Sequence, residues 1–151
     1  GRIPARLHLA AYMLEAGNAE EARPVLEAAL KYDASNVLVH LNLGDAYRLL
    51  GKPQDALEHL SWVARKEPNL AQTHYNLGLL YLFSQNVPGL NDKQAIERAI
   101  ESFERYKKLS PRSARGAGDD VDELLARARN KKSIMEALEE TPAEPKPGGQ
   151  G

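Results

Sequence analysis

The chain has 151 residues, no cysteine, 20 basic against 21 acidic side chains and a formal net charge of -1. That length suits one ordinary domain with a core of its own. The charge balance argues against nucleic acid, whose phosphates require a basic surface. The missing cysteines exclude disulfides, thiolate metal sites and a thiol nucleophile.

Apolar residues recur at three-and-four spacing almost throughout, which predicts helices. The first covers 4–16 and stops at Gly17-Asn18, residues that tolerate the left-handed conformation of a helix end. The second covers 19–32, with Pro24 inside it expected to kink it. The third covers 37–50 and ends at Gly51; the fourth begins near Pro53, a good first-turn residue, and closes before Pro68. A fifth covers 71–85 and a sixth 92–109, closed by Ser110-Pro111. No run approaches the roughly 18–20 apolar residues of a membrane-spanning helix.

The helices fall into pairs, and the pairs repeat. HLNLGDAY at 40–47 returns as HYNLGLLY at 74–81, 34 positions on. The same period relates Gly17 to Gly51, Ala22 to Ala56 and Leu26 to Leu60. Gly44 and Gly78 then fall where the two helices of a pair pack most closely, so the phrase recurs as one packing solution used twice.

This pattern resembles the tetratricopeptide repeat over residues 3–111. The second unit has Leu43-Gly44, Tyr47, Gly51, Ala56, Leu60 and Pro68; the third has Leu77-Gly78, Tyr81, Ala99, Phe103 and Pro111. The first unit is weaker, with Leu9-Ala10, Gly17, Ala22 and Leu26. His40 and His74 stand where a tryptophan or tyrosine is usual. The resemblance implies an all-α solenoid of three helix-turn-helix repeats, at about 3–36, 37–70 and 71–111. The third unit carries nine extra residues around 84–94, either a tolerated surface insertion or a partner-contacting loop. Asp92 is the expected cap of the helix that follows.

Beyond the repeats, 119–139 reads as a capping helix started by Asp119 or Asp120. Its apolar stripe is Val121, Leu124, Leu125, Ala128, Met135 and Leu138; the alternative role is a detachable partner-binding helix. The tail 141–151, rich in Pro and Gly, is expected to be disordered.

Enzyme chemistry finds no foothold. HExxH, glycine-rich phosphate loops and nucleophile elbows are missing from the sequence, and the four histidines suit scaffold positions. No cofactor or metal is expected. Binding is the better expectation, because the resemblance implies that the first helix of each repeat lines a concave groove for a protein or peptide. Carried over residue by residue, the groove comprises Pro4, Leu7, Ala11, Leu14 and Glu15 in the first unit. The second adds Leu38, Leu41, Asp45, Arg48 and Leu49, and the third Gln72, Tyr75, Leu79, Leu82 and Phe83. The set is mostly apolar, the character of a docking patch. Covering about 600 Å² of it would supply roughly 15 kcal/mol of gross driving force, much of it offset by association and ordering costs. Leu7, Leu41 and Tyr75 share one repeat position and would instead be internal packing if the chain covered its own groove. A clamp for a chaperone tail carboxylate does not fit: of the places it needs, only Asn42 holds a suitable residue, the others being Leu7, Ala11, Gln72 and Asn76.

The expectation is therefore a non-enzymatic scaffold, or alternatively a subunit that self-assembles through its repeat ends or groove. The wording also looks similar to bacterial repeat proteins of the cell envelope that serve secretion, pilus or gliding-motility assemblies. The chain opens at Gly1 rather than Met, which reads as a fragment and leaves periplasm, outer membrane and cytoplasm all open.

Overall fold

The computed structural model describes residues 2–141 and 147–148. Most of the 141–151 tail therefore lies outside the described residues. Seven α-helices and no strand occur among them: α1 (Arg2–Glu15), α2 (Ala19–Tyr32), α3 (Val37–Leu49), α4 (Pro53–Lys66), α5 (Ala71–Phe83), α6 (Asp92–Leu109) and α7 (Val121–Glu140). Each helix packs on the next in sequence, and the first helices of successive pairs also touch, α1 on α3 and α3 on α5. The chain is an α-solenoid of helical repeats, with α7 packed on α6.

Two glycines control the spacing within pairs. A Cβ built on Gly44 would stand 2.5 Å from Leu60 Cγ, and one on Gly78 would stand 2.5 Å from Phe103 Cε1. Both neighbours are fully buried, so hydrogen is the only side chain that fits without displacing the core. Gly17 and Gly51 do a different job: each has positive φ, 81° and 71°, and ends a first helix. His40 Nε2–H donates to Ala34 O at 2.7 Å, and His74 Nε2–H to Pro68 O at 2.8 Å. These two histidines thus tie α3 and α5 each to the turn before it.

The expected kink at Pro24 does not interrupt α2. The helix runs on to Tyr32, with Pro24 on its exposed side and Ala22, Leu26 and Ala29 buried around it. Of the nine extra residues in the third unit, four lengthen α6 by a turn and five lengthen the connection, which becomes 84–91. Its cap is Asn91 rather than Asp92. Asn91 accepts from Gln94 N while the Gln94 side chain accepts from Asn91 N, a complete capping box. The connection is anchored by buried Val87, with Asn86 and Gly89 at positive φ.

Among the described residues, α7 lies antiparallel to α6. Ion pairs run along the seam from Lys107–Asp122 at 2.6 Å through Glu104–Arg129 at 2.7 Å to Lys93–Glu139 at 3.0 Å. Such exposed pairs are worth little individually and serve register more than stability. The stability comes from Val121, Leu124, Leu125 and Ala128, buried with Ile96, Ala99, Phe103 and Tyr106. Leu138 does not join them. It is exposed, because the last turn of α7 stands level with the first turn of α6, past its final apolar neighbour. Neither aspartate before α7 makes a simple cap. Asp119 accepts from both Val121 N and Tyr106 Oη, and Asp120 accepts from Tyr75 Oη.

Candidate functional site

The face expected to form the groove is open at one end and occupied at the other. Between α1 and α3 lies an open depression of about 560 Å³ whose surface is mostly apolar. It gathers Pro4, Leu7, Ala11 and Leu38, four of the expected groove residues, and adds Ile3, His8, Asn36 and Asn42. Leu38 is 51% exposed at its rim. Asn36 is partly committed, since its side chain accepts from Val39 N as the cap of α3. Asn42 also lines this wall, and its side-chain amide makes no hydrogen bond among the described residues. Nothing in the position rule pointed to Ile3, His8 or Asn36, which reach the depression from places outside the groove positions.

Deeper into the solenoid the expected groove becomes core. Leu41 is only 5% exposed and belongs to the cluster of Leu60, Val63, Leu77 and Leu80. Leu82 is buried with Ile96 and the α7 leucines. Leu14 and Leu79 are half-buried against their own clusters. For Leu41 the reason is geometric: α3 and α5 touch, and Leu41 packs with Leu77 and Leu80 of the next unit.

At the third unit the chain fills its own face. Tyr75 Oη donates to Asp120 Oδ1 at 2.6 Å, and Gln72, Tyr75 and Tyr106 share a depression of about 340 Å³ with Gly116, Gly118, Asp119 and Asp120. Burial, then the Asp120 bond, raises the Tyr75 phenol well above its ordinary value. Asn76 is also spent, accepting from Gln72 Nε2 at 2.9 Å. Asp45 and Arg48 neutralise each other at 2.8 Å, which leaves the middle of the face without a free charge from this pair. Leu49 sits apart, against the Gly17–Glu21 turn, and Phe83 lies beside the 84–86 connection under the Arg127 guanidinium, 5.3 Å from the ring centroid.

Two overlapping family models described as tetratricopeptide repeat match the chain, over residues 13–77 and 50–114. The chain belongs to the tetratricopeptide repeat family. Together the matches take in all three helix pairs from Met13 onward, and members of this family are in general protein–protein interaction modules. No curated protein matches the chain. Among the described residues of this tetratricopeptide chain, no three His, Asp or Glu side chains come together as a metal site, and no helix is long and apolar enough to cross a membrane.

One titratable cluster braces the second repeat. Because His40 Nε2–H is donated to Ala34 O, its Nδ1 accepts from His59 Nδ1–H at 2.9 Å. Trp62 stacks on His40 and Tyr47 on His59, while Tyr47 Oη donates to Glu27 of the repeat before. Burial, reinforced by the Glu27 bond, pushes the Tyr47 phenol up to about 12. One proton can sit between the two imidazoles, but a second cannot. Burial first and the His40 charge second hold His59 below its ordinary pKa, against the opposing pull of Glu58, Asp55 and Glu27. A folded-state pKa below the unfolded value of about 6.5 gives stability that is complete above that pH and lost as pH falls through the lowered value. The thermal midpoint should therefore drop between pH 7.5 and 5, and the drop should shrink in His59→Gln. Parallel melting curves for the two proteins across that range would refute the role given to His59.

Proposed function

We propose that this tetratricopeptide domain is a non-enzymatic scaffold that docks an apolar peptide segment or one edge of an amphipathic helix between α1 and α3. The observation that carries the proposal is the open apolar depression with Leu7, Ala11 and Leu38 on its walls and Asn42 at its side. A contiguous open apolar surface is of the kind that marks a binding patch, and one amide among apolar walls suits a ligand with apolar side chains and a backbone to orient. The site is shorter than the full groove, because the third unit is held by Asp120 and α7. Short reach favours a ligand of a few anchor residues and modest affinity.

Selection from a displayed library of random twelve-residue peptides tests this directly. Selected sequences should carry two or three large apolar residues, and Leu7→Glu or Leu38→Glu should weaken their binding at least tenfold while Leu49→Glu leaves it unchanged. Enrichment that survives both groove variants would defeat the proposal. The envelope setting suggested by the sequence adds no residue to this site, and the proposal holds equally in any compartment.

A further inference from the structure

The third unit departs from the repeat in two places, and the two meet. The connections after α1 and α3 are the short turns 16–18 and 50–52, whereas the one after α5 runs over 84–91. The helix packed beside that unit, α7, has 20 residues where α3 and α5 have 13. Between these additions lies a cavity of about 410 Å³. Phe83, Gln85 and Asn86 line it from α5 and the connection, Asp92 from the start of α6, and Lys131 and Met135 from α7. It shares no residue with the depression between α1 and α3.

The cations of α7 divide by side. Arg129 and Lys132 face α6, where they meet Glu104 at 2.7 Å and Glu97 at 3.9 Å. Arg127 and Lys131 face the connection and enter no ion pair among the described residues. Arg127 lies over the Phe83 ring, itself 47% exposed, and Lys131 lines the cavity. Asp92 is the acid on that wall, and it stands in the first turn of α6, where the helix dipole offsets part of its charge. Steps of four, three and four residues put Arg127, Lys131, Ile134 and Leu138 on one stripe of α7. Ile134 is 54% and Leu138 71% exposed. The stripe is therefore cationic along its first half and apolar along its second, over roughly 16 Å of helix.

We propose that this stripe and the cavity beside it form a second docking site, for a short peptide segment acidic at one end and apolar at the other. A carboxylate of the segment would sit between Arg127 and Lys131, which lie one turn apart on the same face. A neighbouring apolar side chain would enter the cavity over Phe83 and Met135, and the apolar end would cover Ile134 and Leu138. Charge and length together identify the occupant. A small carboxylate would answer Lys131 but leave the apolar half of the stripe bare, and a wholly apolar segment would leave two cations unanswered.

Twelve-residue peptides selected from a random displayed library on the native chain can be sorted by the variant that loses them. One class should carry Asp or Glu followed by large apolar residues. Its binding should fall at least tenfold in Lys131→Glu and at least threefold in Ile134→Glu, both exposed positions, and should weaken as salt is raised. Leu38→Glu should leave this class unchanged, so failure of the α1–α3 site would remove a different set of peptides. Replacing the acidic residues of a selected peptide by lysine should restore binding to Lys131→Glu, which lost packing alone would not do. The proposal is overturned if no acid-bearing class appears, or if such peptides follow Leu38→Glu and ignore Lys131→Glu. Sedimentation supplies the remaining arm: a dimer of the native chain dissolved by Ile134→Glu would assign the stripe to a second copy and overturn the proposal as well.

Discussion

Leu41→Glu is expected to cost about 3–5 kcal/mol of stability, the penalty for an uncompensated charge held in a core. Leu41 is 5% exposed among Leu60, Val63, Leu77 and Leu80, with no cation in that cluster to pair with a carboxylate. The thermal midpoint should fall on the order of 10 °C or more for a chain of this size. Leu38→Glu lies three residues away on the same helix and predicts the opposite pattern. Its side chain is half in water, so stability should move by less than about 0.5 kcal/mol while peptide binding weakens at least tenfold. Thermal melts and binding measured on the same two proteins separate a core position from a site position. A Leu41→Glu chain that melts like the parent would return Leu41 to the groove and discredit the boundary drawn between open and filled halves.

That boundary explains what could be read in the residues and what could not. The 34-residue period, the glycine turns and the close approach at Gly44 and Gly78 are local or nearest-neighbour properties, and each appears in the structure where the spacing puts it. Helix starts and stops follow for the same reason, apart from a choice such as Asn91 over Asp92, where two adjacent residues both make good caps. Repeat position also says which side of a first helix a residue occupies. It does not say whether that side stays open, because covering it requires contacts from another unit. Leu41 is covered by α5, and Leu82 by α7. Tyr75 is taken by Asp120, 45 residues downstream, which had looked like a simple helix cap. Leu7, Ala11 and Leu38 stand where no such late contact arrives, and they line the open depression instead.

Phe103→Ala should be the most damaging apolar truncation in the chain, at about 3–5 kcal/mol. The ring is fully buried where α5, α6 and α7 meet, with Tyr75 edge-on at 6.0 Å and no room for a β-carbon on Gly78. Solenoids are stabilised by nearest-neighbour contacts, so the loss should be uneven. Amide exchange should speed up first in α5, α6 and α7, where Phe103 holds both the third pair and the leucines of α7, while α1–α4 keep their protection. The tie between Tyr75 and Asp120 would open in the same event, exposing the filled end of the concave face. Gly78→Ala probes the same junction from the other side. Alanine gains about 1 kcal/mol of helix propensity over glycine, but overpacking costs about 1–3 kcal/mol, so the net effect should be destabilising. Gly44→Ala meets a leucine, whose branched end can rotate aside more readily than a wedged aromatic ring, and should be tolerated better. Adding Phe103→Leu to Gly78→Ala should recover part of the loss, giving a double variant more stable than the sum of the two singles predicts. Strict additivity, or a stabilising Gly78→Ala, would mean that the glycine is kept for something other than the ring that faces it.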